Sequence, residues 1–387
     1  MFGSGTLFLA GLLTGCGADR RPENYRYRSP EQLSDGVEVG TPDAVGVDQE
    51  VLDDYVRSVL SGEWGKQRSL LIMKDDRLIL EEYFGGWHRN ARHEVQSISK
   101  SLTSMMVGRA IQDGMIASVE DPISHYLPEY RHLLQGEKGG ITVRHLLTMT
   151  SGLEWDEGST PYGDSGNSRT QATRSPDQVA FVLERHLASP PGSVWAYNGG
   201  GVIVLGEILR VASGIEDDDL VGRTFGSVMN PQEIELGLER DGRLNTAGGF
   251  YLTPRGLLKI GSVILNHGSW GGQQAVDSAW IEEATRPVDV RPGYGYLWWL
   301  GRFADEDAVY EVIIGSGYKG QYLILVPDLA LAIVMNAQNR DDPPGLWEML
   351  RQLLPAVTGR PITAVIWGHQ AQDDSLVRHP VPVDSIG

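Results

Sequence analysis

The feature that most constrains this chain is where its strands fall: near both ends, with a long stretch of helical spacing between them. Residues 69–74 and 77–84 read as two strands joined by a tight acidic turn at Asp75 and Asp76. Toward the other end, 310–314, 321–326 and 329–335 read as strands, with Pro327 and Asp328 turning between the last two. Gly85 and Gly86 mark the first change of pattern, after which Ile98, Leu102, Met105 and Met106 share one helical face and Gly114 ends the helix. Thr142 caps a helix through Met149 that stops near Gly152. Ser175, Pro176 and Gln178 make a capping box for a helix through Leu187, and Thr253 with Pro254 opens another that closes near Gly268. Residues 346–354 read as a final helix. The pattern predicts the α+β class: one antiparallel sheet completed by N- and C-terminal segments, flanked by helices and carrying a helical insertion lobe. A parallel Rossmann sheet does not fit.

The sheet-bearing lobe is expected at 45–96 and 245–358, the helical lobe at 97–244, and a tail at 359–387. No internal repeat is present. The chain has 387 residues, 41% hydrophobic and 22% charged, which excludes collagen-like, coiled-coil and globally disordered readings. A single cysteine excludes an intramolecular disulfide framework, so the fold must stand on packing. With 51 acidic against 33 basic side chains the formal net charge is -18, which repels a phosphate backbone and removes nucleic acid as a partner.

A short apolar run at 7–13 leads into Leu13, Thr14, Gly15 and Cys16. It is too brief for a spanning helix and reads as an export signal. The small residues before the cysteine resemble the lipobox of bacterial lipoproteins, although the first residues carry no Lys or Arg. That resemblance implies a signal peptide at 1–16, lipidation of Cys16, and a membrane partner through the lipid. Residues 17–44 are polar with little periodicity and are expected to form a tether.

Several motifs fail on context. Gly315, Gly317 and Gly320 spell G-x-G-x-x-G after a strand, but the next segment is another strand, so no helix N-terminus meets a pyrophosphate. No G-x-S-x-G elbow occurs. His125, Glu129 and His132 have metal-like spacing, but Pro128 breaks the helix that would align them. No metal or other cofactor is implied.

Ser97 and Lys100 form S-x-x-K, a pattern expected about once or twice by chance in a chain this long. Ser316 and Lys319 repeat it. In an extended segment that spacing puts the two side chains on opposite faces, whereas one helical turn brings Ser97 and Lys100 together. Ser97 also opens a helix, where free N–H groups favour developing negative charge. A serine hydroxyl needs such a neighbouring base to become a nucleophile. The plainer reading is a capping serine beside a solvated lysine.

The segment "SISKSLTSMMVGRAIQDG" from Ser97, then "DPISHYLPEY", "ITVRHLLTMTSGLEWDE", "PGSVWAYNGGGVIVLGEIL" and "GGFYLTPRGLLKIGSVILNHGSWGG", resemble in order the serine β-lactamase and penicillin-binding-protein-like hydrolases. "PGYGYLWWL" and "GSGYKGQYLILVPDLALAIVMN" are similar to the branch with aminohexanoate-dimer hydrolase and related esterases. The resemblance covers about 45–358 and implies the β-lactamase/DD-peptidase-like fold.

It also implies roles. Ser97 would be the acylated nucleophile, Lys100 its base, and Tyr197 the proton shuttle in the place of the Y-x-N tyrosine. The backbone N–H groups of Ser97 and Tyr318 would form the oxyanion hole. Asn198 and then Gly199 follow Tyr197, so the amide of Y-x-N is displaced. Gly315, Ser316 and Gly317 replace the K-T-G box, and the lysine that helps recognise a substrate carboxylate is missing. Lys319 shares the strand parity of Gly315 and Gly317 and is a candidate to reach the mouth of the site, the other reading being a solvent-facing lysine on a sheet edge. With Trp155, Asn198, Gly315, Ser316 and Gly317 it completes the expected substrate-binding set. Trp155, Asp156, Glu157 and Tyr162 sit on a stretch that in related enzymes contributes to a loop over the cleft.

The function expected is an exported, periplasmic or cell-surface serine hydrolase acting on a small ester or amide. A β-lactamase or D-alanyl-D-alanine carboxypeptidase is the alternative, and a non-catalytic cell-wall-fragment binder is another.

Overall fold

Tyr25 and Val37, in a stretch rich in polar residues, are buried against the rest of the protein. The computed structural model describes residues 22–339 and 345–367. Cys16 and the expected signal at 1–16 lie outside them, as do 17–21 of the expected tether and 368–387 of the expected tail. Among the described residues no helix is long and apolar enough to cross a membrane.

The N-terminal part contributes β1 (Glu38–Val39), α1 (Gln49–Ser61), and the hairpin β2 (Gln67–Lys74) and β3 (Arg77–Tyr83). Asp48 caps α1 by accepting from Glu50 and Val51 N–H, and Gly62 ends it at φ 87°. Asp75 and Asp76 both adopt positive φ in the hairpin turn. Next come β4 (His93–Glu94), α2 (Ile98–Gln112), α3 (Val143–Leu147), α4 (Ser168–Arg174), α5 (Gln178–Leu183), α6 (Gly199–Ser213), α7 (Asp217–Phe225), β5 (Ile234–Leu236) and β6 (Phe250–Leu252). The acidic run at 217–219 is the first turn of α7, where it complements the helix dipole.

The C-terminal part supplies α8 (Pro254–Leu265), the small hairpin β7 (Ser269–Trp270) and β8 (Gln273–Gln274), α9 (Ser278–Ala284), and the strands β9 (Trp299–Ala304), β10 (Val309–Gly317), β11 (Gln321–Val326) and β12 (Leu331–Ala337). Helices α10 (Leu346–Leu353) and α11 (Pro355–Thr358) and strand β13 (Ala364–Trp367) follow.

Eight strands make one sheet in the order β1-β3-β2-β12-β11-β10-β9-β13. Every pairing is antiparallel except β1 with β3. The sheet is therefore completed from both ends of the chain, with Leu71 opposite Val334, as the α+β reading anticipated. Strand β12 is buried at every position, so both faces of the sheet are covered. Helix α8 lies on one face, where Gly261 comes close to Leu323, Leu325 and Ala332.

Three expectations are corrected. From residue 22 onward the tether is packed against the body. Tyr25 hydroxyl donates to Glu82 and Tyr27 hydroxyl to the Ile79 carbonyl, while Arg255 binds Asp35, the Glu31 carbonyl and Glu81. Its polar residues have partners far along the chain, so it needs no periodic apolar face. The tail begins with β13, which pairs with β9 at the sheet edge. The helix expected after Ser175 starts later, capped by Asp177, whose carboxylate accepts from Ala180 N–H.

Helix α2 differs from an amphipathic surface helix. Ser99, Ser101 and Thr103 are as buried as Leu102 and Met105. Their hydroxyls are satisfied by distant segments: Ser101 donates to the Leu297 carbonyl at 2.7 Å, Thr103 to the Thr246 carbonyl at 2.9 Å, and Ser99 accepts from Phe250 N–H at 3.1 Å. These bonds tie the first turns of α2 to the segments around 246–250 and 297.

Candidate active site

Gln96, just before α2, has φ 54°, a left-handed conformation that costs a non-glycine residue roughly 1 kcal/mol. The bend presents Ser97 at the helix start, half-buried. Its hydroxyl makes no capping bond. Instead Lys100 Nζ lies 3.0 Å from Ser97 Oγ and donates at 2.7 Å to the Ala247 carbonyl. Lys100 is only 3% exposed, so the solvated-lysine reading is excluded. Ser316 and Lys319, with the same spacing, occupy the end of β10 and the turn after it.

Tyr197 approaches from the segment before α6, with Lys100 Nζ 5.2 Å from its ring centroid. Its neighbours hold it on both sides. Ala196 N–H donates to the Met149 carbonyl at 2.9 Å, and Asn198 N–H to Met149 Sδ at 3.2 Å. Met149 itself sits at φ 58° after α3, which aims both of its acceptors at the segment. The Tyr197 ring stacks on Trp299 (6.1 Å between centroids, 19° between planes), and Trp195 and Tyr294 complete an aromatic wall. Burial and the nearby Tyr197 and Glu157 hold the Tyr294 phenol well above its usual range.

Strand β10 runs under the start of α2. A Cβ on Gly315 would lie 3.1 Å from Ile98, and one on Gly317 would lie 2.3 Å from the Val95 carbonyl and 3.1 Å from Gln96 Cβ. Only glycine lets the strand end come this close to the turn before Ser97. Tyr318 follows directly, with its side chain exposed and its ring 5.6 Å from that of Tyr162. The S-x-x-K hydroxyl and amine, the Tyr197 ring and the end of β10 thus come together, drawn from three separate parts of the chain.

Three members of the expected substrate-binding set are placed otherwise. Asn198 is buried, and its side-chain oxygen accepts from Gly201 N–H at 2.9 Å as the cap of α6. An Asn preceding a helical run spends its side chain on that orphan donor. Trp155 packs on Gly200 and donates to Glu157 Oε2 at 2.7 Å. Lys319 is in the β10–β11 turn at φ 68°, so strand parity does not apply to it. Its charge acts on Glu94, whose carboxyl is raised by burial and lowered in part by that lysine.

Residue identity alone did not single out Glu157, Trp299, Met149 or the Ala247 carbonyl. The last two act through backbone or thioether atoms, which leave no compositional signal. Trp299 lies in the "PGYGYLWWL" segment, which had suggested importance but no contact.

Residues 65–357 match the Beta-lactamase family. The chain belongs to that family. As a β-lactamase-family protein it has the family's serine-hydrolase fold. It is 22% identical over 318 residues to the 6-aminohexanoate-dimer hydrolase of Paenarthrobacter ureafaciens, covering 77% of this chain and 79% of that one. A family VIII carboxylesterase structure aligns at TM-score 0.63 and 14% identity, over 83% of this chain and 98% of that one. The octameric penicillin-binding protein homologue from Pyrococcus abyssi aligns at TM-score 0.58 and 17% identity, over 81% and 77%.

Proposed function

We propose that this β-lactamase-family protein hydrolyses small esters or amides through an acyl-enzyme on Ser97. The observation that carries the reading is the 3.0 Å separation of Ser97 Oγ from the buried Lys100 amine, with the Tyr197 ring beside that amine. Ser97 Oγ attacks the substrate carbonyl carbon while its proton passes to Lys100 Nζ. The oxyanion so formed is met by the N–H groups of Ser97 and Tyr318. Tyr197 delivers a proton to the departing alcohol or amine as its bond to the carbonyl carbon breaks. Water, giving its proton to the Tyr197 phenolate, then attacks the acyl carbon, and Lys100 returns its proton to Ser97 Oγ as the acyl bond breaks and the acid leaves.

Substrate preference follows from charge. The strand beside Ser97 reads Gly315-Ser316-Gly317 with no cation, and Lys319 lies near Glu94. Binding a substrate carboxylate without a charge partner is costly, which favours substrates lacking one over penicillins and D-alanyl peptides. The names of the two hydrolases cited above point to an amide and an ester respectively, in keeping with either bond. We further propose export with a lipid on Cys16, on the strength of the Leu13-Thr14-Gly15-Cys16 sequence.

Fluorophosphonate labelling followed by intact mass tests the chemistry: one adduct, lost in Ser97→Ala, is expected. An unlabelled folded protein points to a binder. Faster turnover of nitrocefin than of short nitrophenyl esters overturns the substrate reading. Lipid-precursor incorporation that persists in Cys16→Ala overturns the anchor.

A further inference from the structure

Glu157 is 6% exposed, and its neighbours are hydrogen-bond donors drawn from three places. Oε2 accepts from Gly199 N–H at 2.7 Å and from Trp155 Nε1 at 2.7 Å, and Oε1 accepts from the Tyr162 hydroxyl at 3.0 Å. Gly199 is the first residue of the fifteen-residue helix α6 and stands two residues after Tyr197. The N–H groups of a first helical turn have no partner within the helix, and the helix dipole adds positive potential there. In α6 those donors are divided between Asn198, which takes Gly201, and Glu157, which takes Gly199.

The fit around the carboxylate is close. A Cβ on Gly199 would stand 2.6 Å from Glu157 Oε2, and one on Gly200 would stand 2.6 Å from the Trp155 ring. The other oxygen holds Tyr162, whose ring lies 5.6 Å from that of Tyr318. One buried carboxylate therefore grips the helix start that follows Tyr197 and the loop that leans on the end of β10.

We propose that Glu157 is a positioning residue: it fixes the Tyr197 phenol against Lys100 by anchoring the first turn of α6. This rests on the role given to Tyr197 above. Charge as well as shape is required. An amide at position 157 keeps one acceptor oxygen but turns N–H donors toward either Tyr162 or the Gly199 and Trp155 pair, so one of those attachments must open. The phenol then loses its fixed bearing while Ser97 and Lys100 keep theirs.

The test compares Glu157→Gln, Glu157→Asp, Tyr197→Phe and the double variant Glu157→Gln/Tyr197→Phe on a nitrophenyl ester. Glu157→Gln is expected to lower kcat by roughly 10- to 100-fold, the scale of a small misplacement of a reacting group. KM should change by less than about threefold, and Glu157→Asp should recover part of kcat. In the Tyr197→Phe background the same Glu157→Gln change should cost less than about threefold, since the group it positions is gone. Losses that multiply, or a Glu157→Gln enzyme with wild-type kcat beside a crippled Tyr197→Phe, overturn the inference alone. A Tyr197→Phe enzyme with unaltered kcat overturns the proposed role of Tyr197 and this inference with it. Should Glu157→Gln fail to fold by circular dichroism, Gly199→Ala displaces the same carboxylate from outside and should lower kcat with KM preserved; an unchanged kcat there overturns the proposal.

Discussion

Gly317 lies so close to the Val95 carbonyl that a methyl group on it would sit 2.3 Å from that oxygen. The end of β10 is thereby pressed onto the turn that presents Ser97. Gly317→Ala should push the strand away and take the Tyr318 N–H with it. Loss of one oxyanion donor costs on the order of 100-fold in kcat. Steady-state kinetics on a nitrophenyl ester, with thermal unfolding measured alongside, checks this; a folded variant with wild-type kcat defeats the assignment of Tyr318.

Lys100 touches Ser97 Oγ and the Ala247 carbonyl, and its amine lies 5.2 Å from the Tyr197 ring centroid. Lys100→Met should slow fluorophosphonate labelling of Ser97 by on the order of a thousandfold or more, as removal of a triad base does. Lys100→Arg should not restore it, because a guanidinium cannot take up the hydroxyl proton. Rapid labelling of either variant rules the lysine out as base.

His93 is 1% exposed, and neither ring nitrogen has a hydrogen-bond partner among the described residues. Burial, with Arg68 and His88 nearby, lowers its pKa to about 3, below the ordinary 6.5. The neutral ring is the folded form, so its contribution to stability is complete above pH 6.5 and is lost as pH falls toward 3. The slope approaches about 1.4 kcal/mol per pH unit within that window. Urea unfolding at pH 7 and pH 4.5 should show a loss that His93→Leu reduces; equal losses in both proteins exclude His93 as the source.

Arg255 is 3% exposed and binds Glu81, Asp35 and the Glu31 carbonyl. Arg255→Met leaves the buried Glu81 carboxylate without its cation, a defect that typically costs about 3–5 kcal/mol. It should also free the segment around Asp35 for proteolysis. Chemical denaturation and limited proteolysis test both effects, and intact stability with an uncut N-terminal segment refutes the clamp.

Much of this was legible because it depends on local spacing. Ser97 and Lys100 share one helical turn, and the two aspartates at 75 and 76 mark a hairpin whatever surrounds them. Lys319 misled because parity along a strand fails at the residue where the strand turns, and Gly320 is the sign of that turn. Asn198 was readable as a cap from the glycines and apolar run after it, but the Y-x-N resemblance drew it toward the substrate. The segment around Asp35 and the carboxylate of Glu157 had no local signature. What makes each of them structural is a partner that only folding supplies, Arg255 for one and the start of α6 for the other.

The pairing of β2 with β12 has a temporal meaning. Leu71 is made early, but the strand it must lie against is not complete until Val334 has been polymerised. At ordinary elongation rates that interval is on the order of tens of seconds. Throughout it the β2–β3 ribbon offers one open, apolar border. A newborn chain of this protein therefore carries that border exposed to its siblings until β12 has been made.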